Sequence, residues 1–115
     1  MKARDPLALL AALAGAVAVM AGAYGAHGAS GQAAELLRTG GQYQLVHAVA
    51  AFAVLARPLG RIAGWLFTIG GALFAGSLYA LAFGAPHWLG SITPLGGLLL
   101  IAGWVMVGVG AWRQS

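Results

Sequence analysis

Of the 115 residues, 61% are hydrophobic and only 7% charged, with a mean hydropathy of +0.87, whereas a soluble domain carries roughly 25% charged residues. An ordinary soluble fold is thereby excluded, and the chain reads as one integral membrane domain over residues 1–115. The net charge of +4 rests on six scattered basic residues, too dispersed for a nucleic-acid surface, and with no cysteine there can be no disulfide, Cys-ligated zinc or iron–sulfur cluster.

Residues 1–5 form a short basic head. Asp5 followed by Pro6 has the order of an N-cap and a first helical residue, and predicts a helix over 6–27, whose roughly 20 apolar residues suffice for a bilayer core of ~30 Å. The small residues of AGAYGAHGA resemble a signal-cleavage site. The apolar stretch nevertheless exceeds the ~7 to 15 residues of a signal core, so the helix is expected to be retained.

Residues 28–41 are the one substantially polar segment, with Ser30, Gln32, Glu35, Arg38 and Thr39, and predict a short interfacial turn of helix. A second helix is expected over 40–57, stopped by Arg57 and Pro58, and a third over 61–83. Ala85 to Gly90 make an uncharged turn in which Trp88 suits the interfacial aromatic belt. Thr93 and Pro94 repeat the cap-then-proline order and open a fourth helix over 94–112.

Lys2, Arg4, Arg57, Arg61 and Arg113 fall on one side of this arrangement, and only Arg38, beside Glu35, on the other. The positive-inside rule then predicts an all-α membrane protein, a four-transmembrane-helix bundle with both termini cytoplasmic. Many of the 19 glycines lie inside the expected spans, where small residues let backbones approach. Gly76 is expected on such a packing face of helix three, and Leu45 on a lipid face.

In that topology the polar side chains gather in the outer half: His27, then Tyr43, Gln44 and His47, then Ser77 and Tyr79, then Thr93. His47 is the centre of the set, because an ionisable group inside a span is uncommon and faces protein or a wet cavity. At 100° per residue, Gly40, Tyr43, Gln44, Ala50, Ala51 and Val54 lie within about 60° of it, and Leu45, Val49, Phe52 and Ala56 lie opposite. The expected site is a polar outer-leaflet pocket around His47, lined by Tyr43 or Gln44 from its own helix and Tyr79 from helix three.

Several members also have structural readings. His27 before Gly28 fits a helix C-cap, Thr93 before Pro94 an N-cap, and Ser77 a bond to the Leu73 carbonyl in its own helix. Tyr24 and Tyr43 fit the aromatic belt. No carboxylate or thiolate lies in the spans to complete a metal set or to serve drug–proton antiport, and nucleophilic hydrolysis lacks an acidic partner for the histidine. No catalytic residue, metal or cofactor is assigned. Proton relay through His47 and Tyr79, or binding of a small polar or quinone-like headgroup, is the chemistry the set leaves open. The leading reading is a non-enzymatic membrane component, assembly or accessory, whose pocket takes a small ligand or partner, with the lipid bilayer and a homo-oligomer or membrane-complex partner as its surroundings. A proton-coupled small-molecule carrier and a haem- or metal-binding membrane protein are the alternatives.

GAYGAHG at 22–28, QYQLVHA at 42–48, FAGSLYALA at 74–82 and GSITPLGGLLLIAGW at 90–104 resemble the small membrane family known as domain of unknown function 423. That family includes YgdD-like bacterial proteins and is similar to transmembrane protein 256. The resemblance implies a four-span protein of the bacterial inner membrane without an established activity. It marks His27, Tyr43, His47, Ser77, Tyr79, Thr93 and Pro94 as motif positions, and departs from the usual pattern at Tyr24, where Phe is common.

Overall fold

Asp5 and Pro6 start the first helix as their order dictates. In a computed structural model of the chain, which describes residues 4–114, the Asp5 carboxylate accepts from the Ala8 N–H over 3.3 Å and helix α1 runs Pro6–His27. Then follow α2 (Gly31–Ala53), α3 (Gly60–Ala82), a short 3-10 turn (His87–Ser91) and α4 (Thr93–Gln114). Lys2 and Ser115 of the expected basic head and tail lie outside the described residues. Among the described residues three stretches are long and apolar enough to cross a membrane: Pro6–His27, Gly60–Ala82 and His87–Gln114.

The second helix departs from the expected 40–57 at both ends. It starts at Gly31, because Gln32 to Leu37 are good helix formers and continue without a break into Gly40 and Gly41. Those two glycines do not end the helix; they are sites of close approach. A methyl group on Gly40 would lie 2.7 Å from the Tyr79 ring of α3, and one on Gly41 would lie 3.1 Å from the Ala18 carbonyl oxygen of α1. At the other end the helix stops at Ala53, before the residues that Pro58 forces out of helical geometry, and Leu59 takes a left-handed φ of 60° to turn the chain into α3.

Lipid supplies no hydrophobic drive between helices, so close packing of small residues holds this bundle together. α1 and α2 run antiparallel in register: Gly25 faces Ala34 and Leu37, Gly41 faces Ala18 and Gly22, and Gly15 faces Ala48. α3 meets α4 where Gly70 and Gly96 bring the two backbones together beside Phe74. Between them sits the core of Ala11, Ala50, Ala51, Val54, Ala63, Phe67 and Leu100. Gly76 is not on that packing face: a side chain there would meet nothing within 4 Å. The expectation of a clash at Gly76 is corrected to Gly70 and Gly96, because Gly76 points about 120° away from Gly70 around α3 and is exposed, while Gly70 and Ser77 face α4. Leu45 is 39% exposed, as its outward position requires.

Candidate functional site

His47 is buried, 6% exposed, on the α2 face turned to α3. Its Nδ1–H donates to the Tyr43 carbonyl oxygen one turn back, over 2.6 Å, and its Nε2 accepts from the Trp104 indole N–H over 2.9 Å. The two bonds fix the tautomer and leave neither ring nitrogen unbonded. Phe67 packs against both partners, its ring 5.4 Å from that of His47 and 4.7 Å from that of Trp104. The Tyr43 ring, 48% exposed, lies parallel to that of His47 with centroids 6.4 Å apart and tilts against Phe74.

Gln44, also 6% exposed, belongs to a separate pair, its Oε1 accepting from the Tyr79 hydroxyl over 2.7 Å. Side chains lean toward the N-terminus of their own helix, so in this antiparallel pair Gln44 reaches outward and Tyr79 reaches inward until they meet. Gly40 leaves the room that the Tyr79 ring fills. A third pair lies further out, where the Ser77 and Thr93 hydroxyls are 2.5 Å apart. Ser77 also donates to the Phe74 carbonyl over 2.8 Å, in place of the expected Leu73 carbonyl. His27 is exposed at the end of α1.

The polar residues expected around His47 form three pairs along the bundle, His47 with Trp104, Gln44 with Tyr79 and Ser77 with Thr93. His47 lies level with Gly15, Phe67 and Trp104, near mid-depth, and Tyr79, expected on His47, bonds Gln44. The misplaced start of helix two accounts for this: counted from Gly31, His47 is about 24 Å down the helix. His27, at the far end of α1, is separated from it by roughly 18 Å of helix rise, too far to share a metal or haem. Among the described residues no group of three or more His, Asp or Glu side chains could hold a metal ion.

Trp104 is the site residue that sequence reasoning missed. Its signal was an indole N–H in the middle of an apolar span, a donor that lipid cannot satisfy and that therefore calls for an acceptor inside the bundle.

α1 and α3 both lie on α2 but separate from each other outward, leaving a groove. A lower chamber of about 300 Å³ has Leu13, Ala14 and Val17 on one wall, Ile69, Ala72 and Leu73 on the other, and Gln44 at its floor. An upper chamber of about 240 Å³ continues from Val17 to Tyr24, Tyr79 and Phe83. The groove is closed at the N-terminal end of α1 by Leu7 packed on Gly64, and at its C-terminal end by Tyr24 stacked on Phe83, ring centroids 5.8 Å apart.

Comparison with known proteins matches residues 21–97 to the family described as protein of unknown function (DUF423), which spans α2, α3 and their motif residues. The chain is similar to the UPF0382 membrane protein YwdK of Bacillus subtilis, 44% identical over 67% of this chain and 68% of that one. It is also similar to a UPF0382 membrane protein of Haemophilus influenzae, 39% identical over 73% of this chain and 72% of that one. The UPF0382 inner membrane protein YgdD of Escherichia coli is 35% identical over 67% of this chain and 63% of its own length. No solved structure matches. With its apolar helices, its motif positions and these relatives, the chain belongs to the DUF423 family of small membrane proteins.

Proposed function

We propose that the chain is a four-span, non-enzymatic component of the bacterial inner membrane with both termini cytoplasmic, built to hold a ligand or partner within the bilayer. α2 carries Gln32, Glu35, Arg38, Gln42, Gln44 and His47 and so falls outside the most apolar stretches, yet it lies antiparallel along α1 from Gly25 to Gly15. A helix in register with a spanning neighbour crosses the same slab, and each of the helices, 22 or 23 residues long, rises about 33 Å, matching a core of ~30 Å. Arg57 and Arg61 gather at the inner end with Arg113, and Glu35 and Arg38 stand at the outer end.

One observation carries the non-enzymatic reading: the buried histidine spends both ring nitrogens on structural bonds, to Tyr43 and Trp104. It has no nitrogen left for a metal, a haem iron or a substrate proton without breaking the bundle's own contacts.

The chain has no cysteine, so single-cysteine variants report topology directly. Gln114→Cys should be shielded from a membrane-impermeant thiol reagent in intact cells, and Ser30→Cys should react. Labelling of both from the outside overturns the four-span reading. The purified protein should show no haem absorption and no stoichiometric metal; either would replace this reading with a cofactor protein.

A further inference from the structure

The groove between α1 and α3 has one polar group that the fold does not use. Gln44 is 94% buried by its 6% exposure, and its Oε1 is taken by Tyr79. Its Nε2 amide, which carries two N–H donors, has no protein partner among the described residues, yet no fully enclosed side-chain atom is left unsatisfied. Nε2 therefore keeps accessible surface, and Gln44 lines the lower chamber. The other polar side chain of that chamber, Thr68, already donates to the Gly64 carbonyl over 2.8 Å. Gln44 is level with Gly71, halfway along α3, so the free donor stands in the hydrocarbon, where neither water nor a lipid phosphate reaches.

An unpaired amide at that depth is costly, and what relieves it is a hydrogen-bond acceptor that is itself soluble in hydrocarbon. A single chain fits, passing Val17 into the upper chamber under the Tyr24–Phe83 stack. The walls are apolar and carry no charge, so a charged headgroup has no counter-ion there.

We propose that this groove binds an uncharged carbonyl compound carried on one apolar chain, a prenylated quinone or a fatty-acyl ester, whose carbonyl oxygen accepts from Gln44 Nε2. Tyr79 is then a positioning residue: by donating to Oε1 it turns the amide N–H groups toward the chamber. The inference rests on the membrane-spanning reading above, and the two fail separately, because labelling tests the topology without any ligand.

The test is the thermal melt of the detergent-purified full chain, followed by helical circular dichroism, with three probes: decylubiquinone, methyl oleate and dodecane. One or both carbonyl probes should raise the melting temperature saturably, as a ligand of the folded state does, and whichever does so identifies the source. Dodecane should give no such shift. Gln44→Leu should bind at least about tenfold more weakly. Ala72→Phe fills the lower chamber from an exposed position that the fold does not depend on, and should abolish the shift even if Gln44→Leu folds poorly. Absence of a saturable shift with both carbonyl probes overturns the proposal. Equal shifts with dodecane, or unchanged binding in folded Gln44→Leu, overturn the carbonyl contact, and unchanged binding in Ala72→Phe overturns the groove.

Discussion

The Trp104 indole N–H reaches Nε2 of His47 over 2.9 Å, joining α4 to α2 beside the Phe67 ring of α3 that packs against both. α4, which packs mainly on α3, is thereby tied to α2 through a bond that lipid cannot compete for. Trp104→Phe keeps the ring contact with Phe67 and removes only the donor. It should lower stability in detergent by about 0.6 to 1.7 kcal/mol, the range of interhelix hydrogen bonds in membranes. Adding His47→Phe to it should cost less than the two single losses combined, because both remove the same bond. Strict additivity in that double-mutant cycle would show that the bond contributes nothing.

Glycines that each sit inside a helix should nevertheless respond oppositely to alanine. Gly40→Ala pushes a methyl group to 2.7 Å from the Tyr79 ring, and Gly96→Ala drives one into the Phe74 backbone. Each should destabilise by about 1 to 3 kcal/mol, the cost of overpacking. Gly76→Ala meets nothing and should stabilise by up to about 1 kcal/mol through helix propensity. Melting temperatures of the three variants check the order, and a loss at Gly76 as large as that at Gly96 would place the crossing of α3 wrongly.

The inner end should carry a pH-dependent contribution. Asp5 pairs with Arg61 over 2.9 Å and caps α1, and the Arg61 guanidinium, helped by the Ala8 N–H, holds its carboxyl below the ordinary value of 3.8. A depressed folded value means that the carboxylate's stabilisation is complete above the unfolded value and is lost as pH falls through the folded one. Asp5→Asn preserves the capping oxygen and removes the charge. The melting-temperature difference between the wild type and this variant should therefore be constant from neutral pH to about pH 5 and shrink below about pH 4. A difference that persists unchanged into that acid range would mean that the charge of Asp5 is not what stabilises this end.

Tyr79→Phe should weaken the α2–α3 contact by about 0.6 kcal/mol, the average for such bonds in membranes, and free the Gln44 amide to turn. An unchanged melting temperature would show that Gly40 and the Tyr79 ring, and not the hydroxyl, hold this contact.

The sequence by itself determined the class, the family motifs and most helix ends, because those depend on local chemistry. Asp5 before Pro6 opens α1 at the expected residue, Thr93 before Pro94 opens α4 within one residue, and the apolar runs of α1, α3 and α4 are long enough to span. It also singled out Gln44, His47, Ser77, Tyr79 and Thr93 as polar residues that must find partners inside a bundle. What the tertiary structure decided was which partner each one has. Gly40 and Gly41 read locally as a helix boundary, yet they continue α2 where α1 and α3 come close, and that continuation moves His47 from near the start of its helix to about 24 Å along it. There its partner is Trp104, 57 residues away in the chain, and Gln44 takes Tyr79. Helical periodicity fixes the direction of a side chain around its own axis, but only the crossing of the helices sets the depth at which two directions meet.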